Sequence, residues 1–178
     1  RYPSLAGTIR DHGTLRRRGT YDAIIAAAAD RTVDRIDPPV LDALRLGGHQ
    51  LLSTRVASHA AVNESVELAR RHGGGRGAAG FANAVLRRVS RETPGHWMDR
   101  ITASARSDDE RLGLTSAHPV WIVRAFRRAL TAEGRGDELD ALLAADNDAP
   151  RVAMIALPGL AEIPDDARPA RYAPTAFP

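Results

Sequence analysis

A chain of 178 residues without a single cysteine excludes disulfides, thiolate metal sites and a cysteine nucleophile, and its length suits one ordinary domain with a tail. The net charge of +3 hides an uneven division, because residues 1–91 hold 15 arginines against eight acidic residues while residues 92–178 hold 10 against 14. No lysine is present, and a front half rich in guanidinium groups, which fit phosphate oxygens as a planar fork, points to a polyanionic partner.

No apolar run approaches the ~18 residues of a membrane span, and no charged-then-apolar leader is visible, so a cytoplasmic protein is expected. In chain order, Tyr21 to Arg31 reads as a helix with Tyr21, Ile24, Ile25 and Ala28 on one side. Asp37 followed by Pro38 reads as a helix start, with the Asp side chain as cap and proline in the first turn. Val40, Leu41, Leu44, Gly48, Leu51 and Leu52 then keep the spacing of a buried face. Gly47 and Gly48 interrupt this helix at about 1 kcal/mol each relative to alanine, so both are expected where another backbone comes close. Ser58 to His72 predicts the next helix, and after a glycine-rich turn Gly80 is expected to open one running to about Glu92, with Phe81, Ala82, Val85, Leu86 and Val89 inward.

Trp97 to Ala105 reads as a short amphipathic piece, and Ser107 to Ala117 as a polar loop in which Asp108-Asp109-Glu110 is a solvated charge run. Pro119 should begin a helix with Ile122, Val123, Phe126 and Leu130 inward, and Asp137 to Ala145 the last one. This succession predicts an all-α bundle over residues 1–146. Beyond it, Val152 to Leu157 could be a strand, and Pro158, Pro164, Pro169, Pro174 and Pro178 forbid further helix, so residues 147–178 read as a linker or the start of another domain.

Gly75-Arg76-Gly77-Ala78-Ala79-Gly80 matches a dinucleotide fingerprint in letters only, since a helix and not a strand precedes it; a flexible turn with free N–H groups, able to hold a phosphate, is the expected role. The six histidines show no metal spacing, with His49 and His59 expected in packing or capping, and no catalytic constellation can be nominated. The candidate binding residues are arginines: Arg16, Arg17 and Arg18 ahead of Tyr21; Asn83, Arg87 and Arg91 at i, i+4 and i+8 with Arg88 beside them; and Arg124, Arg127 and Arg128. Three such sets suit an RNA backbone, whereas eight aromatic residues in all are too few for a single-strand stacking platform.

The run from Asp37 through Leu46-Gly47-Gly48-His49-Gln50 to Leu52 resembles the central helix of the NusB-like domain at the front of the Sun/Fmu ribosomal RNA cytosine-5 methyltransferases. The likeness continues through Thr54-Arg55-Val56, His59 to Val66 and Gly80 to Arg88, then His118-Pro119-Val120-Trp121 and Asp146 to Pro150. It implies a NusB-like fold that grips small-subunit ribosomal RNA, joined to a catalytic domain that uses S-adenosylmethionine and supplies its own cysteine. No cofactor is expected in this chain, nor metal, nor catalysis. The RNA-facing positions carried by the resemblance are Arg16 to Arg18 and the helix with Asn83, Arg87 and Arg88. Two departures stand out: Ala57 replaces a frequent proline, and Thr14-Leu15-Arg16 looks like the tail of a helix whose first part is missing, so a break is expected near Gly13–Thr14. A free-standing antitermination factor of NusB type and a helical protein-interaction scaffold are the competing readings.

Overall fold

The computed structural model describes residues 13–148, 154–157, 159–163, 167–168 and 176–177. The chain divides into two compact units, Arg1–Leu143 and Ala144–Pro178. Gly13 to Arg16 form a helical turn in which the Arg17 N–H donates to the Gly13 carbonyl at 3.3 Å. Residues 1–12 lie outside the described residues.

Helix α1, Arg18–Ala29, buries Tyr21, Ile24, Ile25 and Ala28 as the periodicity requires. It stops short of Arg31 because Asp30 takes a left-handed conformation (φ 51°), which a short polar side chain tolerates. Helix α2, Pro38–Ser53, starts where proline fits the first turn, but the Asp37 side chain makes no capping bond. Instead its backbone carbonyl accepts from the N–H groups of Val40 and Leu41, both at 2.9 Å.

Helix α3, Ser58–His72, follows the predicted bounds, whereas helix α4, Arg76–Val89, begins four residues before the expected Gly80. The turn between them is Gly73 to Gly75, with φ of 95° at Gly74 and 85° at Gly75, backbone that only glycine adopts freely. Gly77 and Gly80 are helical with open space around them, so their roughly 1 kcal/mol propensity costs are tolerated in a segment that also contains Ala78, Ala79, Ala82 and Ala84.

Helix α2 touches α1, α3 and α4 and buries more of its residues than any of them, which makes it the centre of the bundle. The two glycines predicted to serve a close approach divide here. A Cβ on Gly47 would stand 2.7 Å from Ser65 Oγ and 2.9 Å from a Leu86 methyl, whereas one on Gly48 would meet nothing nearer than Tyr21 Cδ1 at 3.9 Å. Side chains, not a backbone, crowd Gly47, and Gly48 is free of the demand. The core is completed by helix α5, Pro94–Ala103, capped by Thr93, whose fully buried Trp97 donates its indole N–H to the Val89 carbonyl at 3.0 Å.

The expected polar loop is in fact helix α6, Asp108–Ser116. Ser107 accepts from the Glu110 N–H at 3.2 Å, and three acidic residues in the first turn face the positive end of the helix dipole. Helix α7, Val120–Ala132, then packs Val123 against Leu139 and Leu143 of helix α8, Leu139–Asp146, in a small second core with Leu112, Phe126 and Leu130 at its edge. In the C-terminal unit Met154–Ile155 (β1) pairs antiparallel with Ala176–Phe177 (β2), Met154 opposite Phe177. Val152, Ala153 and the five C-terminal prolines lie outside the described residues.

Candidate nucleic-acid interface

Helix α4 has two faces with opposite demands. Ala82, Val85, Leu86 and Val89 are buried, and the outer side carries Arg87 and Arg88, with Arg91 in the turn that follows. Residues 68–91 contain six arginines and no aspartate or glutamate. Arg70 and Arg71 are nonetheless held by Glu67, just outside that stretch, at 2.8 and 2.7 Å. The two guanidinium groups hold the Glu67 carboxyl down to about 2. Arg76, Arg87, Arg88 and Arg91 make no ion pair among the described residues, so the positive charge of this acid-free stretch is left unneutralised there.

Within this set the side chains differ in role. Half-buried Asn83 accepts from Arg87 Nε at 3.0 Å through its Oδ1, which fixes the guanidinium and leaves both terminal nitrogens without a partner among the described residues. Arg88 is turned toward the fold: its Nη1 donates at 3.1 Å to the Ala28 carbonyl, one of the unsatisfied carbonyls in the last turn of α1. A cation there also suits the negative end of that helix. Arg91 is exposed.

The set at Arg16, Arg17 and Arg18 is exposed and lies at the other end of α1. Ten helical residues separate Arg18 from Ala28, about 15 Å along the axis, so the two predicted sets are not brought together into one cluster. Arg18 approaches Asp22 at 3.8 Å, and a cleft of about 500 Å³ beside Arg16 is also lined by Asp22 and Glu110. Asp22 itself is held more tightly by Arg45, at 2.7 Å.

The third set dissolves. Asp109, expected in a solvated run, accepts from Arg127 at 2.8 Å and pairs with Arg124 at 3.3 Å, so two of the three arginines on α7 already have a carboxylate.

Sequence reasoning missed one feature. Between the start of α3 and the end of α4 lies a cleft of about 200 Å³ lined by Ser58, His59, Val62, Asn63, Arg87 and Ser90. His59, expected in packing or capping, is exposed and caps nothing among the described residues; Asn63 was legible only as a member of a helix, and the approach of both to Arg87 follows from the Gly73–Gly75 turn folding α4 back along α3. His49, by contrast, is a packing residue as expected: buried, it bonds the Tyr21 hydroxyl at 2.8 Å through Nδ1. Burial holds the Tyr21 phenol above its ordinary range. No group of three or more metal-binding side chains lies together among the described residues, and no helix among them is long and apolar enough to cross a membrane. The glycine run at 75–80 joins a turn to a helix and follows a helix rather than the strand of a dinucleotide-binding unit.

The NusB family pattern matches residues 11–91. Over 161 residues, 90% of this chain, the sequence is 42% identical to the Mycobacterium tuberculosis protein named Putative methyltransferase Rv1407. It is 30% identical over 119 residues, 66% of the chain, to Probable ribosomal RNA small subunit methyltransferase B of Bacillus subtilis. A shorter match, 32% identical over 80 residues and 44% of the chain, is to Transcription antitermination protein NusB of Marinobacter nauticus, half of whose length it covers. The chain spans 35% of the mycobacterial relative and 25% of the Bacillus one. No solved structure matches it. The glycine-bearing central helix, the all-helical bundle around it and these matches agree, and residues 11–91 are accordingly a NusB-like domain of the Sun/Fmu methyltransferase family.

Proposed function

We propose that this NusB-like unit binds small-subunit ribosomal RNA in the cytoplasm and presents it to a cytosine-5 methyltransferase domain of the same polypeptide. The observation that carries the reading is the acid-free stretch at residues 68–91, whose arginines Arg87 and Arg91 face outward, whereas Arg45, Arg124 and Arg127 are matched by carboxylates. Arg16 and Arg17 extend the contact, Asn83 positions Arg87, and Arg88 acts through the fold. S-adenosylmethionine belongs, on this reading, to a domain outside these 178 residues: the glycine run at 75–80 follows a helix rather than a strand, and the sequence has no cysteine to attack a cytosine ring.

The antitermination reading is the weaker of the two. Matches to NusB proteins cover 41–45% of the chain, whereas likeness to the mycobacterial relative covers 90% and so includes helices and tail beyond residue 91. A filter-binding titration of the chain against unmodified small-subunit ribosomal RNA at two salt concentrations tests the proposal. Affinity should fall steeply with salt, and no methyl group should pass from labelled S-adenosylmethionine to the RNA. Absent or salt-independent binding would leave the scaffold reading standing.

A further inference from the structure

The cleft beside Arg87 differs from three larger ones among the described residues. Those are lined by Asp108, Asp137 and Asp140, by Asp22 and Glu110, or by Asp42; this one has no carboxylate. Its charge is the Arg87 guanidinium, oriented by Asn83 with both terminal nitrogens available. Such a lining favours an anion and disfavours a cation.

The rest of the lining narrows the ligand. Ser58, His59, Asn63 and Ser90 combine donor and acceptor groups, and the side chains of His59 and Asn63 make no hydrogen bond among the described residues. A hydroxyl, which both donates and accepts, suits such groups. No Phe, Tyr or Trp lines the cleft, which argues against a splayed-out base, because a base needs a flat wall to stack on. Val62 supplies an apolar patch at one side.

From these observations we infer that the cleft seats one phosphate–ribose unit of the RNA backbone, with Arg87 on the phosphate and Asn63 and His59 on the ribose 2′-hydroxyl. The inference rests on the proposed RNA-binding role and adds to it: α3 takes part, and this is where RNA is told from DNA. Without the cleft, Arg87 and Arg91 would attract either polymer.

The test measures binding of the whole chain to a short fluorescent RNA stem-loop, to the DNA of the same sequence and to the 2′-O-methyl RNA. His59 and Asn63 are exposed, so the double variant His59→Ala/Asn63→Ala should keep the fold. It should lose about five- to tenfold in affinity for RNA and almost nothing for DNA. The 2′-O-methyl probe should bind the unaltered protein more weakly than RNA does and show no further loss with the double variant. Unchanged RNA affinity in the double variant, or an equal loss for RNA and DNA, overturns the inference. If Arg91→Ala still weakens RNA binding in that event, the arginine face stands without the cleft. No RNA binding by the unaltered chain would overturn the proposed function itself.

Discussion

Helices α4 and α7 both carry clustered arginines, Arg87 and Arg88 with Arg91 just beyond on the first and Arg124, Arg127 and Arg128 on the second, and in the sequence they make equal claims on a polyanion. Their surroundings separate them. Arg124 and Arg127 of α7 lean on Asp109, whereas the arginines of α4 stand in a stretch that has no acid from residue 68 to residue 91. The seating differs too: α4 lies in the main core with Trp97 bonded to its last carbonyl, and α7 rests on a small cluster centred on Val123. An arginine stripe is therefore available to a polyanion only where the neighbouring elements leave it unneutralised, and spacing within one helix does not report that.

The largest contrast should appear in stability. Leu86 is fully buried, so Leu86→Ala should cost about 2–5 kcal/mol in denaturant unfolding. Val123→Ala removes fewer methyl groups from a smaller cluster, and a loss of about 1–2 kcal/mol is expected. Equal losses would show that the second core carries as much of the fold as the first.

The glycines of α2 sharpen the account of α4's seat. Gly47→Ala drives a Cβ into Ser65 Oγ and the Leu86 methyls and should destabilise by about 1–3 kcal/mol despite the better helix propensity. Gly48→Ala meets only ordinary contact and should gain up to about 1 kcal/mol. Thermal unfolding of both variants checks this, and two changes of the same sign would contradict the packing described around Leu86.

The smallest effect concerns Asp109. Asp109→Asn should cost less than about 1 kcal/mol, as expected for ion pairs near the surface, and should release Arg124 and Arg127. A modest gain in RNA affinity at low salt should accompany it. No gain would mean that α7 faces away from the RNA whatever its charge.

Much of the bundle was legible because a buried stripe leaves a plain mark. The inward residues of α1, α2 and α4 follow the three-to-four repeat, and Ser58 to His72 is bounded by its own pattern. Helix α6 was missed although Ser107-x-x-Glu110 is a capping signal, because Gly113 is its only buried residue and it offers no apolar stripe to read. The start of α4 was misplaced because glycines at 77 and 80 look like turn residues, while the alanines between them allow helix. At the candidate site the exposed arginines were visible in the sequence. Which of them remain unpaired was not, because Asp109 lies 15 and 18 residues before its partners and Arg88 reaches a carbonyl 60 residues away. The cleft with His59 and Asn63 was invisible for the same reason, since it depends on how one turn folds two helices together.

The central claim is that α4, not α7, meets RNA. The direct measurement is the slope of log affinity against log salt for small-subunit ribosomal RNA, taken with the unaltered chain, with Arg87→Ala/Arg91→Ala and with Arg124→Ala/Arg127→Ala. Removing one arginine from a phosphate should flatten the slope by about 0.7–0.9, so the α4 pair should flatten it by about 1.5 and the α7 pair leave it unchanged. A slope unchanged by the α4 pair, or flattened as much by the α7 pair, would contradict the account.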